Sequence, residues 1–572
     1  MQPPPTGVRP SSSMSSLSFS QAAKGSTGEG TIDTKATNLN PERPRGTAAG
    51  TGDPRARGSG RSATRAKTLS SLSMTDVLVV GAGIAGLTAG ALLARDGLAV
   101  TVLEAHHQTG GCAGTFRRGP YVFDVGATQV AGLEPGGVHA RLFARLGVPA
   151  PAATALDPGC VVELADGGSA VAIWRDPARW RQERERQFPG CDAFWSLCDR
   201  LQEATWAFAE RDPILPPRSW WDLTQLLRAL DPAVLASGVF TASSVADLLR
   251  LTGAARSPGG ARLRRFLDLQ LRLYSQEPAE RTAALYGATV LSVVQAPRGL
   301  WHPLGSMQAL STALEEALAA HGGALRLRHR VRRLRPPSGP DRRWTVDGEG
   351  PRGEAFTVQA RDVVVSLPPQ TLPELLGEAL PAGWRRRLEG LNEPSGALVF
   401  YGAVGRHHLD AAAASHLQLD GGDPGSLFVS VSQEGDGRAP AGEATVIASV
   451  FTPSHPWFAP EEEAYQARKR QALAGIQAGL QRLLGLEAHH WTHAELATPR
   501  GWQGWTGRPG GGVGGLGQHP WRSGLLGLPS RTPLPGLWLC GDSIHPGEGT
   551  AGVSTSAEMV CRQVLQARRS QP

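Results

Sequence analysis

Three glycines at a fixed spacing, Gly81, Gly83 and Gly86, form the pattern in this sequence that most directly indicates a chemistry. As G-x-G-x-x-G between an apolar run and a helical segment, they allow a tight turn, a close approach of phosphate to the backbone, and close packing of helix on strand. Glu104 lies 18 residues beyond Gly86, where such a fold places an acceptor for a ribose hydroxyl. The pattern predicts a site for a dinucleotide.

The segments around these glycines must position them. Residues 77–80 are an apolar run that suits a buried parallel strand, residues 84–97 a helix, and residues 98–103 a second strand that ends at Glu104. The alternative is a membrane span, because residues 77–94 are uncharged, but four glycines and the short length favour a strand and helix. The N-terminus of the helix then faces the phosphates.

Further motifs carry a family resemblance. Gly110 and Gly111 follow Glu104 after six and seven residues, and an acid followed at that interval by a glycine pair resembles the extended signature of the FAD-binding amine oxidase and carotenoid desaturase superfamily. The pieces GGCAGTF, FDVGAT, LQLRLYSQ, QAPRGLWHPLGSMQAL, SQEGDGRAP, TGRPGGGVGGLGQ and CGDSIHPGEGTAGVS resemble the carotenoid desaturase/isomerase family, and within it most the cyanobacterial-type carotenoid C-3′,4′ desaturases. The resemblance covers about residues 74–568.

The resemblance implies an α/β fold: a Rossmann-like FAD-binding domain of the amine oxidase/phytoene desaturase type with an inserted α+β substrate domain. We expect residues 74–150, 299–395 and 530–572 to form the FAD-binding domain. Residues 151–298 and 396–529 are then the substrate and membrane-associating domain. Strand-like segments at 397–404, 426–433 and 444–453 indicate an antiparallel sheet, and residues 460–484 indicate a helix closed by Gly485.

For function, the resemblance implies FAD-dependent desaturation that introduces a C-3′,4′ double bond into an acyclic carotenoid end group, in myxol-type xanthophyll biosynthesis. Electrons would leave through a quinone or oxygen. A carotenoid cis-trans isomerase using reduced FAD is an alternative, as are a flavoprotein that binds carotenoid without turnover and an amine oxidase. Cys112 follows the glycine pair where plant-type phytoene desaturases and amine oxidases carry arginine, and Glu548 stands where carotene isomerases usually carry glutamine.

The resemblance and the motifs give a set of candidate site residues. Glu548 and His545 are the candidate proton acceptors, since their HPGEG segment should lie against the flavin; a carboxylate stabilised by a helix N-terminus and a structural histidine are the competing interpretations. The predicted cofactor-binding residues are Gly81, Gly83, Gly86, Glu104, Gly110, Gly111, Val331, Gly541, Asp542, Gly552 and Val553. Asp124 and Gly126 either lie near the flavin or form a turn whose carboxylate caps a helix.

Charge and cysteine usage exclude other classes. The net charge is +7, but ten of the 58 Lys and Arg and four of the 51 Asp and Glu lie in residues 1–73, which leaves 48 and 47 beyond them. The folded part therefore predicts no nucleic-acid partner. The six cysteines show no C-x-x-C pair, so we expect no metal site and a reducing compartment. The glycine-rich run 501–518 lacks a following lysine and is interpreted as a loop close to the flavin or substrate.

Two segments bear on location. Residues 1–73 are rich in Ser, Gly, Thr and Pro, which favours disorder or a translation start at Met74; a transit peptide, and hence a plastid, is the alternative. Residues 214–230 combine tryptophans and arginines with an apolar stripe, typical of a helix lying on a membrane surface, although a helix covering an internal cavity would look similar. We expect a peripheral protein on the cytoplasmic side of a plasma or thylakoid membrane.

Overall fold

The computed structural model describes residues 74–338, 342–391, 395–410, 414–458 and 461–570. The expectations for residues 1–73 lie outside these ranges. The strands of the described residues are β1 (Thr75–Val80), β2 (Val100–Leu103), β3 (Thr115–Arg118), β4 (Tyr121–Asp124), β5 (Val130–Ala131), β6 (Ala153–Ala155), β7 (Cys160–Glu163), β8 (Val171–Ile173), β9 (Leu300–Pro303), β10 (Ala324–Arg326), β11 (Arg330–Arg335), β12 (Trp344–Glu349), β13 (Ala355–Val365), β14 (Ser395–Gly405), β15 (His416–Leu419), β16 (Leu427–Val431), β17 (Glu443–Pro453), β18 (Trp491–Ala497) and β19 (Leu537–Leu539).

The α-helices of the same residues are α1 (Ile84–Arg95), α2 (Val138–Leu146), α3 (Pro177–Gln187), α4 (Asp192–Ala209), α5 (Trp220–Ala229), α6 (Pro232–Ser237), α7 (Val245–Leu251), α8 (Gly260–Ser275), α9 (Ala284–Leu291), α10 (Gln308–Ala320), α11 (Leu372–Leu376), α12 (Ala382–Glu389), α13 (Glu462–Leu484), α14 (Pro499–Thr506) and α15 (Thr550–Arg569).

A seven-stranded sheet holds the N-terminal glycine motif. Its order is β10-β2-β1-β13-β12-β11, and β19 pairs with the C-terminal end of β13. The strands β10, β2, β1, β13 and β19 run parallel, whereas β12 pairs antiparallel with both β13 and β11. The β1–α1–β2 unit is the arrangement that the glycine spacing predicts, so the carboxyl ends of β1 and β2 open on the same edge.

Alternate residues of β1 enter two separate cores, because side chains on a strand point to opposite faces. Val77 and Val79 pack in the core that contains apolar residues of α1, α10 and α15. Leu78 and Val80 pack in a second core with Trp344 of β12. With both faces covered, β1 is an almost uninterrupted apolar run, as expected of a parallel strand.

The second seven-stranded sheet has the order β18-β14-β17-β16-β15-β7-β8 and is antiparallel apart from the β15–β7 pair. One face of β14, through Leu398 and Phe400, packs on α13. Its other face, through Val399 and Tyr401, packs on the β3–β4 hairpin and α14. Helices α3, α4, α7, α8 and α9 contribute a further core, and β5, β9 and β6 form a small three-stranded sheet.

The structure confirms the predicted α/β class, with a Rossmann-like sheet beside a mixed second sheet. The first sheet draws its strands from residues 75–103, 324–365 and 537–539; the domain boundaries stay a prediction. The interpretation of residues 501–518 as a loop is wrong for its first third. Pro499 at the first helical position starts α14, and buried Trp502 anchors that helix in the core.

The segment expected to lie on a membrane contains α5. Trp221 contributes to the second core of the first sheet, while Trp220 and Leu227 are 78% and 55% exposed. The two seven-stranded sheets enclose a cavity, and among the described residues that line it none comes from 214–230, so α5 does not form its wall. A separate finding is that no helix in the described part of the chain has both the length and the apolar character to cross a bilayer.

Candidate active site

A cavity of about 450 Å³ lies between the carboxyl ends of the first sheet and the inner face of the second. Of the predicted cofactor-binding residues, nine line it: Gly81, Gly83, Glu104, Gly110, Gly111, Val331, Gly541, Asp542 and Val553. Gly86 and Gly552 do not line it. The predicted proton acceptors divide as well, because Glu548 lines the cavity and His545 does not.

The turn from β1 to α1 uses each glycine differently. Gly81 has a φ of 98°, which disfavours any other residue. A Cβ on Gly86 would lie 1.9 Å from the carbonyl oxygen of Gly81, whereas a Cβ on Gly83 would meet no protein atom within 4 Å. No side chain caps α1 at Gly83, so the free N–H groups of its first turn open into the cavity. An anionic group is the expected partner there.

Glu104 ends β2 and lies at the rim of this turn. Its two carboxylate oxygens accept hydrogen bonds from the backbone N–H groups of Ala82, at 2.7 Å, and His106, at 2.8 Å. Burial raises the pKa of Glu104, and these hydrogen bonds work in the opposite direction. The carboxylate therefore fixes the glycine turn while facing the cavity.

The glycine pair joins the first turn directly. Gly110 donates its backbone N–H to the carbonyl of Ala82 at 3.0 Å and forms an isolated parallel bridge with Gly83. Gly110 and Gly111 have φ angles of 103° and 57°. A Cβ on Gly111 would lie 3.5 Å from the Cα of Gly83. The second glycine turn thus continues the wall that the first one begins.

A second uncapped helix N-terminus faces the same cavity. After β19 the chain turns at Gly541, with a φ of 120°, and α15 starts behind Gly549 without a side-chain cap. A Cβ on Gly552 would lie 2.6 Å from the carbonyl oxygen of Gly547, so this glycine serves the packing of the helix start. Val553, one turn inside α15, lines the cavity.

Glu548 carries a buried carboxyl group and lines the cavity. Its Oε2 accepts a hydrogen bond from the Gln276 amide at 2.9 Å, whereas Oε1 is buried without a hydrogen-bond partner. Burial raises the pKa of Glu548 to about 7, although the Gln276 hydrogen bond lowers it. A carboxyl with such a pKa can accept and release a proton near neutral pH.

His545 has a different environment. Burial lowers its pKa to about 4, so its imidazole is neutral at physiological pH. It lies three residues before Glu548 but outside the cavity-lining set. Of the two predicted proton acceptors, Glu548 therefore lines the cavity and His545 does not.

Asp124 and Gly126 also separate. Asp124 accepts a hydrogen bond from the backbone N–H of Met307, at the start of α10, at 2.7 Å, and its other oxygen pairs with Arg438 at 2.9 Å. The helix-capping interpretation of Asp124 is thus the one that fits. Gly126 lines the cavity, and a Cβ there would lie 2.6 Å from the Trp502 ring.

Two polar residues that sequence reasoning did not single out complete the site. Gln276 ends α8 with a φ of 59° and reaches Glu548 from 272 positions away. Arg508, in the loop after α14, forms an ion pair with Asp542 at 2.8 Å. Both belong to motifs quoted for the family resemblance, LYSQ and TGRPGG, which was the available signal. Nothing local in those motifs indicates the partner.

Comparison with known proteins adds three similarities. The family described as flavin containing amine oxidoreductase matches residues 84–565. The chloroplastic prolycopene isomerase of Arabidopsis thaliana is 25% identical over 530 residues, which cover 86% of this chain and 83% of that protein. The 4,4′-diapolycopene oxygenase of a Methylomonas species is 23% identical over 528 residues, which cover 86% and 98% of the two chains.

Solved structures share the fold. A double mutant of putrescine oxidase superposes with a TM-score of 0.58 at 19% identity, covering 87% of this chain and 99% of that one. Cyclohexylamine oxidase from Brevibacterium oxydans superposes with a TM-score of 0.55 at 17% identity, covering 86% and 100%. At these identities the likeness establishes the architecture, an α/β fold with a dinucleotide-binding sheet and a second domain.

Proposed function

The chain belongs to the flavin-containing amine oxidoreductase family, and from that premise we propose that it is a carotenoid desaturase that introduces a C-3′,4′ double bond into an acyclic end group. Its cofactor is FAD, and the protein is a flavin oxidoreductase. The carotenoid substrate, the position of the new bond and the membrane location are the proposal. They are supported by the apolar cavity wall, by Glu548 and by the similarity to enzymes whose names denote polyene substrates.

The residues of the cavity fit FAD. Two uncapped helix N-termini, at Gly83 and Gly549, suit an anionic cofactor with a diphosphate. Four cavity-lining residues carry a buried polar atom without a hydrogen-bond partner in the described part of the chain: Gln129, Trp502, Arg508 and Glu548. Such atoms are costly to bury alone, so a polar ligand is expected to satisfy some of them.

When bound, FAD supplies the acceptor for a hydride leaving one allylic carbon. The neighbouring carbon then loses a proton, and the electron pair of that C–H bond becomes the new double bond. The proposed acceptor of this proton is the Glu548 carboxylate. The observation that carries the proposal is that this buried carboxyl lines the cavity and has a pKa raised to about 7. Glu548 lines the cavity, its Oε1 has no hydrogen-bond partner among the described residues, and Gln276 holds its Oε2 in place. His545, outside the cavity-lining set, is the weaker candidate.

The opposite cavity wall suits an extended hydrocarbon. The second sheet contributes Val399, Phe428 and Val450, and α8 contributes Leu273. An apolar wall near the Glu548 carboxyl holds and orients a polyene and excludes water, which is the protein's main task in such a reaction. The names of the two curated relatives denote enzymes acting on polyenes of this class, which supports the substrate class and leaves the reaction type to experiment.

Carotenoids are apolar and partition into lipid bilayers, so the proposal includes a peripheral position on the cytoplasmic side of a membrane. Around α5 and α6, Trp220, Leu227 and Leu235 are exposed by 55% or more. Exposed Arg218 and Arg228 lie on the same segment. Apolar side chains combined with arginines suit an anionic bilayer surface. A membrane quinone, or oxygen, would then reoxidise the flavin.

A cis-trans isomerase is the second candidate, favoured by the similarity to prolycopene isomerase over 86% of the chain. It differs in needing no net removal of hydrogen. Both candidates use the same cavity, and the mass of the product separates them.

The test is to express the full chain in a bacterium that makes an acyclic-ended carotenoid and to analyse the extracted pigments by mass spectrometry. A product two hydrogens lighter, with a red-shifted spectrum, is the expected result. An unchanged mass with altered retention would assign the isomerase instead. Unaltered pigments in cells that contain the flavin-loaded protein would contradict both candidates for that substrate.

A further inference from the structure

Arg508 is a largely shielded cation on the cavity wall. Its side chain is 15% exposed, and it follows Gly507, which ends α14 with a φ of 69°. Among the described residues that line the cavity, the arginines are Arg330 and Arg508, and Arg330 is exposed. A guanidinium removed from water requires anionic partners, because the loss of hydration is otherwise uncompensated.

The contacts of Arg508 leave it incompletely satisfied. One terminal nitrogen pairs with Asp542 at 2.8 Å and also donates to the carbonyl of Gly514. The other donates to the Cys112 sulfur at 3.7 Å, a weak acceptor. Its Nε is buried without a hydrogen-bond partner. Guanidinium donors are therefore available for a further anion.

The position of Arg508 links the glycine segments of the site. Cys112 directly follows Gly111, and the glycine pair is bridged to Gly83 at the start of α1. Asp542 directly follows Gly541, at the turn that leads to α15. Arg508 thus contacts one residue next to each of the two glycine segments that line the cavity.

The glycines that follow Arg508 allow its loop to pack closely against the cavity wall. A Cβ on Gly515 would lie 2.3 Å from the carbonyl oxygen of Asp542, and one on Gly514 would lie 2.6 Å from the Glu548 carboxylate. Only glycines allow the loop to press so closely on the segment 541–548. The small thiol at Cys112 leaves the space that the guanidinium occupies.

We propose that Arg508 is a cofactor-binding residue whose guanidinium supplies positive charge to the diphosphate of FAD. Arginine suits this role, since its planar donor fork matches phosphate oxygens. The loop carrying it would thereby contribute to cofactor affinity, a role that does not depend on which substrate the enzyme uses. An arginine at position 112, directly after the glycine pair, should be able to supply the same charge, because Cys112 contacts Arg508.

The experiment measures the Kd of FAD for flavin-stripped full-length protein, by quenching of flavin fluorescence. We expect R508M to raise the Kd at least tenfold, and the double variant C112R/R508M to recover most of that loss. R500M is the matched control: Arg500 lies on α14, is 41% exposed and pairs with Glu462, so its Kd should stay within twofold of the wild type. A role in packing alone would not be rescued from position 112.

Two ligand fragments identify the part of FAD concerned. ADP carries the diphosphate and riboflavin the ring, so R508M should weaken ADP and leave riboflavin unchanged. Should R508M fail to fold, R508K retains a charge with fewer donors, and its Kd for FAD and ADP should rise severalfold. An R508M or R508K Kd within twofold of the wild type, a failed rescue, or a selective loss of riboflavin would overturn the proposal.

Discussion

Glu548 illustrates how burial and a single neighbour set the chemistry of one residue. The cavity removes its carboxyl from water, which raises the pKa to about 7, and the Gln276 amide holds one of its oxygens. An exposed glutamate would be ionised throughout the physiological range and would be a much weaker base. The proposed role follows from this environment.

We predict that E548Q lowers the rate of carotenoid turnover at least a hundredfold, because the amide cannot accept the proton, while FAD stays bound. Pigment analysis measures the turnover, and the visible absorbance of the purified protein measures flavin content. E558Q is the control, since Glu558 lies on α15 outside the cavity-lining set. Undiminished turnover by E548Q would remove Glu548 from the mechanism.

The pKa of Glu548 also predicts the pH dependence. A base acts as the carboxylate, which is the minor form below about pH 7 and the major form above it. The rate of flavin reduction by substrate should therefore rise with pH through about 7 and then level off. Stopped-flow absorbance at a series of pH values measures this rate. A flat profile between pH 5 and 9 would contradict a proton acceptor with this pKa.

At the scale of elements, the β1–α1 turn separates folding from binding. Gly86 is needed because its Cβ would collide with the backbone of Gly81, while a Cβ on Gly83 has room in the protein and points to no neighbour. These two glycines belong to one motif, yet the structure assigns one to packing and the other to the cavity wall.

We predict that G86A lowers the unfolding free energy of the flavin-free protein by about 1–3 kcal/mol, and with it the melting temperature, because the turn or the helix must shift. G83A is the matched variant and should leave the flavin-free protein as stable as the wild type while weakening FAD binding. Thermal unfolding and FAD titration measure the two effects. Equal destabilisation by both substitutions would contradict this division of roles.

The α5–α6 segment carries the membrane proposal. We predict that W220S/L227S weakens sedimentation with anionic liposomes severalfold, because it removes two exposed apolar side chains from the proposed docking surface. L251S is the control, since Leu251 is 67% exposed on a different helix, α7. Equal liposome binding by the double variant and the wild type would count against this surface.

At the scale of the whole molecule, a buried ionic cluster joins distant parts of the chain. Arg438, 2% exposed, pairs with Asp124 on the β3–β4 hairpin and with Asp436, and Asp436 also contacts His302 of β9 at 2.7 Å. Burial raises the pKa of Asp436, but the hydrogen bonds to His302 and Arg438 outweigh it, so the pKa is lowered overall. The cluster holds the hairpin, β9 and the second sheet together.

We predict that R438M costs about 3–5 kcal/mol of unfolding free energy, because it leaves two buried carboxylates without their cation. R482M is the control: its ion pair with Glu163 is exposed, with side chains 54% and 32% accessible, and should contribute at most about 1 kcal/mol. Urea denaturation measures both. Similar losses in the two variants would show that burial of the pair does not set its importance.

The sequence determined the dinucleotide-binding half of this protein. Gly81, Gly83 and Glu104 act through backbone geometry and short-range spacing, so a strand, a turn and a helix could be assigned from some thirty residues. The segment 541–553 could likewise be assigned to cofactor binding from its local pattern of a strand end, glycines and a helix start. Glycines at positive φ and an acid at a strand end are local requirements, and a sequence states them directly.

Only the tertiary structure decided which polar groups meet. Gln276 reaches Glu548 across 272 positions, and Arg508 reaches Cys112 across 396. The same packing decided between the two interpretations of Asp124, which lies outside the cavity-lining set in an ion pair with Arg438. No periodicity encodes such pairs, because they depend on how two sheets and a loop close around a cavity. Burial then sets the protonation state of each group and which of its hydrogen-bonding atoms stay unpaired, and these determine its role.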